Sequence, residues 1–396
     1  MRKSALYAFG LVAALLVALG LIVLCSASQP NSIKWYHGDR FGFFVRQLIF
    51  AGIGILITTA TAWVDYRIWK NHRVLTWLVY GLVFLLLCAV FPPIGHRVNG
   101  AYRWIPLGPI NIQPSELAKL VIVITIAMWM DHIGWKVDRF RQGAFVPMLL
   151  IVVYAAPILA ETDLGSTMVV AAAGLLMMLL GGTRLIYFAS AGLIGVSGIA
   201  VVLATNSNRV RRLAAWLPAT VCGWLGVEPA AATENLAAMT AAKYQAYNSL
   251  AAIKNGGVWG VGIGRSMQKQ YYLPEAHTDF VMAIGAEELG ILFTIVVILL
   301  FFAFFGLSCY VAMKASDRFG RYLALGMGFI IFFQAMFNLG VICEALPTKG
   351  MALPFFSYGG TNMITACIAV GVILSVGIHS YQDKKQTLRH NVYFRA

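Results

Sequence analysis

The chain has 396 residues, 60% of them hydrophobic and only 12% charged, and a mean hydropathy of +0.76. A water-soluble protein of this length cannot hide so much apolar surface, so a soluble enzyme is excluded. The net charge of +14 is spread over short connectors. That pattern reads as Lys and Arg collecting in cytoplasmic loops, not as a nucleic-acid-binding patch.

Apolar windows of about 20 residues predict an all-α polytopic membrane protein of about ten transmembrane helices. Approximate limits are 7–27, 43–64, 74–92, 114–131, 145–160, 164–182, 185–204, 280–313, 322–345 and 361–381. The first run follows Arg2 and Lys3 and lacks a small-residue cleavage site, so it reads as a retained span and not a signal peptide. With the N-terminus inside, the inner segments hold Arg67, Lys70, Arg184, Lys314 and Lys384 among others, while the short outer loops hold few cations. The bias is about threefold and places both termini in the cytoplasm. The eighth run is long enough to tilt or extend beyond the bilayer.

The outer segments carry the chemistry. "VNGAYRWIPLGP" (Val98–Pro109) presents Arg103 and Trp104 before the fourth span. "QPSELAKL" opens that span with Glu116 and Lys119, three apart on one helix face, as a self-neutralising pair or as part of a cavity. "ETDLGS" brings Asp163 to the start of the sixth span, where it is an N-cap or a site residue. A large extracytoplasmic loop, 205–279, separates spans seven and eight and carries Arg211 and Lys269. Connectors this long are uncommon and usually functional. Within it, 241–255 has helical propensity and is expected along the membrane surface. "NGGVWGVGIGRS" (Asn255–Ser266) has neither the Walker lysine nor the dinucleotide fingerprint, so a re-entrant or closely packed turn is expected.

"YYLPEAHTDFVMAIGAEELG" (Tyr271–Gly290) concentrates acid at the mouth of the eighth span. Asp279 and Glu287 are eight residues apart, two helical turns on nearly the same face. A partly desolvated carboxylate there has a raised pKa and is a better base near neutral pH. Asp279 and Thr278 also compete as N-caps, and His277 is a second base or a hydrogen-bonding loop residue. "ALPTKGMALPFFSYGGTN" (Ala345–Asn362) joins the last two spans and holds one cation, Lys349. Lys and Arg in these loops suit a pyrophosphate or a lipid headgroup. The six cysteines have no metal or redox spacing and are expected as buried free thiols.

The ordered set "NGAYRWI", "QPSELAKL", "DLGS", "GVGIGRSMQKQYYLPEAHTDF", "AEELG" and "LPFFSYGG" resembles the SEDS family, the group of RodA, FtsW and SpoVE, from Val98 to Thr361. "PEAHTDF" and "LPTKG" look more like the FtsW and SpoVE branch. Threonine stands in "ETDLGS" where the family usually has proline.

The resemblance implies a single SEDS-type membrane domain over 1–396, in the bacterial inner membrane, with its active face extracytoplasmic. It implies polymerisation of lipid II into peptidoglycan glycan strands during cell division, with release of undecaprenyl pyrophosphate and inversion at the anomeric carbon. Asp279 maps onto the family's essential acid, Glu116, Lys119 and Asp163 onto its central cavity, and Arg103 onto its "RW" loop. Arg211, Lys269, His277, Glu287 and Lys349 join them as candidate substrate-binding groups. A class B penicillin-binding protein and other divisome membrane proteins are the implied partners. A divalent cation, Mg²⁺ or Mn²⁺, is expected beside the pyrophosphate, with no organic cofactor. The rival readings are a lipid II flippase, an elongation-type polymerase and a scaffold.

Overall fold

A computed structural model describes residues 3–92, 95–98, 101–108, 110–188, 241–346 and 350–393. The predicted seventh span, 185–204, and the first half of the large loop, with Arg211, lie almost wholly outside the described residues, as does Lys349.

Among the described residues, eight helices are long and apolar enough to cross a membrane. They are α1 (Lys3–Ala27), α3 (Gly42–Trp63), α6 (Pro114–Ile133), α7 (Val146–Ala160, long enough together with the wide π-turn Phe140–Phe145 that leads into it), α8 (Leu164–Gly181), α10 (Val281–Lys314), α11 (Arg318–Ile342) and α12 (Gly360–Tyr393). The predicted third span is the shorter apolar helix α5 (Arg73–Ala89). Short helices α2 (Gln29–Trp35) and α4 (Ile68–Asn71) occupy connectors, and α9 (Ala241–Gly256) lies within the large loop.

The bundle has a solid centre. Helix α6 buries residues on every face, as its lack of a polar stripe requires, and α11 and α12 are buried almost as fully. Small residues let helices meet closely where lipid supplies no hydrophobic drive. Thr58 of α3 donates to the Cys367 carbonyl of α12 at 2.9 Å, and a Cβ on Gly371 would fall 1.8 Å from Thr61 Oγ1. Tyr80 and Tyr154 tie α5 to α7 by reciprocal bonds to Leu150 O and Tyr80 O, both 2.8 Å. The free thiols are less uniform than expected. Cys367 is buried, whereas Cys88 on α5 and Cys343, in the turn just past α11, are exposed.

Both termini lie on one edge of the bundle, where the N-terminal end of α1 meets the C-terminal end of α12. Basic connectors gather there with their acids: Lys70 with Asp131 at 3.0 Å, Arg67 with Asp383, and Tyr66 with Asp317 at 2.8 Å. Arg103, Asp163 and Asp279 are at the opposite edge.

The long eighth run is broken near its start. Gly290 has φ 81° and ψ 177° inside α10, a conformation essentially reserved for glycine. Ahead of it, 281–288 form a fully buried half-helix; beyond it, Ile291, Ile295, Leu299 and Phe302 are exposed on the outer half. The glycine-rich loop fills the break as a closely packed turn. Ile291 N donates to Gly257 O, Val261 N to Glu287 O and Gly262 N to Glu288 O, each at 3.0 Å. These bonds satisfy the backbone groups freed by the kink, which would otherwise be orphaned in a membrane. Helix α9 does more than lie along a surface, since Ser249 inserts and donates to Ile342 O of α11 at 2.8 Å.

One further element was not predicted. The loop carrying Arg103 forms a three-stranded antiparallel sheet, β1 (His96–Val98), β2 (Ala101–Leu107) and β3 (Ile110–Ile112). It fixes Arg103 on a rigid strand over the edge of the bundle.

Candidate active site

At the edge opposite the termini, the polar starts of α6, α8 and α12 converge with the segment leading into α10. Proline at the first position of α6 and the Asp163 cap of α8 set two of these helix starts. Asp163 Oδ1 accepts from Ser166 N at 3.1 Å, and Oδ2 accepts from Ser166 Oγ at 2.9 Å and Gln113 Nε2 at 3.3 Å. The aspartate is thus both a cap and a cross-link between helices.

Asp279 is not a cap. Helix α10 starts at Val281 and its N-cap position, Phe280, makes no side-chain cap bond. Thr278 turns instead to Glu275 Oε2 at 2.8 Å. The segment is held through its backbone. Asn338 of α11 donates to Asp279 O at 2.7 Å and to Met351 O at 2.6 Å, Ser357 donates to Thr278 O at 2.5 Å, and Tyr358 N to His277 O at 3.0 Å. This frame aims the Asp279 carboxylate over Gly350, where a Cβ would fall 2.7 Å from Oδ2.

Desolvation is the main cause that lifts the Asp279 pKa to about 7. Glu275 and Asp163 add to the rise, and Arg103 opposes it. A carboxylate so placed is poised to take a proton near neutral pH.

Arg103 reaches in from β2 and donates to Thr162 O at 2.8 Å. Thr162 has φ 63°, a backbone angle closed to the proline usual at this position in the resembled family.

Beside it sits Glu161, a residue the sequence did not single out. It is 1% exposed, and among the described residues neither carboxylate oxygen has a hydrogen-bond partner. Burial raises its pKa to about 8, with Asp163 adding and Arg103 opposing. A raised carboxylate stabilises the fold below the ordinary carboxylate range and loses that contribution as pH climbs through about 8. Thermal unfolding should therefore show the wild type weakening from pH 7 to 9 by on the order of 2 °C or more, and Glu161→Gln should flatten that slope.

The other candidates separate into three groups. Glu116 and Lys119 form the predicted pair at 2.7 Å, 6% and 2% exposed, and Lys119 also donates to Gln334 Oε1 of α11 at 2.9 Å. Gln334 continues to Ala352 O at 2.7 Å, so this chain runs from the core toward the Asp279 frame. A cavity of about 10 Å³ beside Lys119 and Asn362 is room for no more than a single water.

Lys269 lies elsewhere, donating to Glu288 Oε1 at 2.7 Å and to Ser26 of α1 at 2.8 Å. Glu287 accepts from Ser266 Oγ, from Gln268 N at 3.3 Å and from Asn255 at 3.4 Å. Both acids of "AEELG" brace the glycine-rich loop. The shared face expected for Asp279 and Glu287 does not arise, because Asp279 precedes the helix.

His277 meets Asn31 at 2.9 Å and packs against Phe43 at 4.9 Å between ring centres. Burial lowers its pKa, with Glu275 opposing, so its ring stays neutral near pH 7.

Among the described residues no three His, Cys, Asp or Glu side chains are grouped to hold a metal ion.

Comparison with known proteins accounts for this arrangement. The profile of the family described as Cell cycle protein, spanning FtsW, RodA and SpoVE, matches residues 7–382. A Geobacter sp. (strain M18) protein named probable peptidoglycan glycosyltransferase FtsW is 37% identical over 366 residues, 92% of this chain and 95% of that one. Stage V sporulation protein E of Bacillus subtilis is 34% identical, covering 93% and 96%. The crystal structure of the rod shape determining protein RodA of Thermus thermophilus shares the fold, with a TM-score of 0.66, 24% identity and coverage of 94% and 96%. A chain of a peptidoglycan synthase complex aligns with a TM-score of 0.70 at 24% identity, covering 95% and 98%. The buried helical bundle, the broken eighth span and the acid-lined edge are thus those of a multi-pass membrane protein that belongs to the FtsW/RodA/SpoVE family.

Proposed function

We propose that the chain is a division-type peptidoglycan glycosyltransferase that polymerises lipid II. The single observation that carries this is the Asp279 carboxylate, lifted to about 7 and held over Gly350 opposite Arg103. The names of several relatives support the same reaction. The acceptor 4-hydroxyl attacks the donor's anomeric carbon from the face opposite the leaving group, inverting it. Asp279 takes the hydroxyl proton as the new C–O bond forms, and undecaprenyl pyrophosphate departs with the electrons of the broken bond. Arg103 is the described cation nearest Asp279 in effect and compensates charge on the leaving group. Lys349 and Arg211 are further candidates in the neighbouring loops. Asp163 orients the α6 and α8 starts, and the Glu116–Lys119 pair supports the frame from below.

The loop cations favour both termini in the cytoplasm, which puts Asp279 on the extracytoplasmic face. A class B penicillin-binding protein is the expected partner. A structural neighbour belongs to a complex described as coordinating polymerization and crosslinking.

The purified chain, with and without its penicillin-binding protein, would be incubated with labelled lipid II and the products sized on a gel. Glycan polymer is the expected result. Lipid II crossing vesicle membranes with no polymer in either preparation would replace this reading with the flippase.

Gly350→Ala tests the positioning. Its methyl group must displace the Asp279 carboxylate, and a shift on the order of 1 Å at a reacting group costs about 10²-fold in rate. Polymerisation by this variant should fall by about that factor with its thermal stability little changed.

A further inference from the structure

The edge carrying both termini holds a cleft that the proposed reaction does not use. Its volume is about 680 Å³, and it lies between α1 and α12. Leu6 and Gly10 of α1 face Leu374 and Ile378 of α12 across its apolar part. A Cβ on Gly10 would meet nothing within 4 Å, so the cleft is open at that depth. The mouth is cationic. Lys3 and Lys385 flank it, with Lys3 Nζ 5.5 Å from the centre of the Tyr381 ring. Both lysines are exposed, and among the described residues neither pairs with a carboxylate. The nearby acid, Asp383, is engaged by Arg67.

Length decides what fits. From Lys3 to Gly10 is roughly 10 Å of helix rise, and from Lys385 to Leu374 roughly 16 Å. Half of a hydrocarbon core is about 15 Å. The cleft therefore reaches through one leaflet and stops. A transmembrane helix would need both leaflets and, at about 10 Å across, roughly 1,200 Å³ in this half alone. An acyl chain needs one leaflet and fits the volume, and a phosphate headgroup matches two unpaired lysines at the membrane surface.

We propose that this cleft binds one anionic glycerophospholipid, its phosphate between Lys3 and Lys385 and an acyl chain along Gly10 and Leu374. The proposal is independent of the reaction assigned to Asp279.

Native mass spectrometry of the full chain, titrated with dioleoylphosphatidylglycerol or dioleoylphosphatidylcholine, tests it. The first phosphatidylglycerol should bind in preference to phosphatidylcholine. Lys3→Glu with Lys385→Glu should weaken that first site about 30-fold, taking roughly 1 kcal/mol per surface lysine, and should leave phosphatidylcholine unchanged. Lys384→Glu, exposed but outside the cleft, should change nothing. Gly10→Leu, which fills the cleft from a position with space ahead of it, should remove the first site without charge change and covers the case in which the double variant misfolds. A first site with no headgroup preference, one untouched by Gly10→Leu, or one weakened as much by Lys384→Glu would overturn the proposal.

Discussion

Asp279→Asn should leave a folded, more stable protein that makes almost no glycan. General-base assistance is typically worth about 10²–10⁴ in rate, and the amide cannot accept the acceptor proton. The wild-type rate should fall as pH drops below about 7, because the base must be deprotonated to act. Stability runs the other way. A carboxylate whose pKa is raised by burial stabilises the folded state while it is protonated, and that contribution is lost as pH rises through about 7. Asparagine has no proton to lose, so the variant should unfold at a higher temperature than wild type at pH 8, with the gap narrowing toward pH 5. Gel analysis of labelled lipid II products, paired with thermal unfolding at both pH values, checks the two halves. Full activity in a folded Asp279→Asn protein would remove Asp279 as the base.

Glu288→Ala should be the most destabilising change among those considered. Lys269 and Glu288 are 4% and 3% exposed, and each is the other's counter-charge. Removing one partner of a buried pair costs about 3–5 kcal/mol, because the remaining charge is stranded away from water. Replacing both with well-packed apolar residues is often close to neutral. Lys269→Met with Glu288→Leu should therefore recover most of what Glu288→Ala loses. Unfolding of Lys269→Met, Glu288→Leu and the double variant, read as a double-mutant cycle, would reveal the coupling. If both singles unfold like wild type, the pair does not hold the loop in place.

The spans were legible because 1.5 Å of rise per residue ties apolar length to membrane thickness, and that signal is long and continuous. The Glu116–Lys119 contact was legible for the same reason, since helical spacing alone brings positions three apart together. The break at Gly290 was hidden, because apolar residues continue on both sides and hydropathy does not record backbone angle. Glu287 and Glu288 were visible as acids but not as braces, because their partners, Ser266, Lys269 and Ser26, are distant in sequence. A closely packed turn was foreseen from glycine content, but not the groups it would bond. Glu161 passed as a loop residue; the signal that would have found it is an acid closing an apolar run two residues before a capping aspartate. The sheet over the site consists of strands of 3, 7 and 3 residues. Segments that short carry little periodicity to read.

The braced half-helix also has a consequence for how the chain is made. Val281–Lys314 leaves the ribosome as one apolar run with two adjacent glutamates near its start. Left among lipid tails, an acidic side chain costs about 2.5–3.5 kcal/mol at mid-membrane depth. The glutamates find relief in Ser266, Lys269 and Ser26, all of which are synthesised earlier. Biogenesis therefore has a natural order. The partners of both acids are made before the acids themselves, so the glycine loop and the first span are available to receive the helix as it enters the bundle. The frame that holds Asp279 includes Asn338, Met351 and Ser357, all made after it, so the base takes its place only once the last two spans have been added.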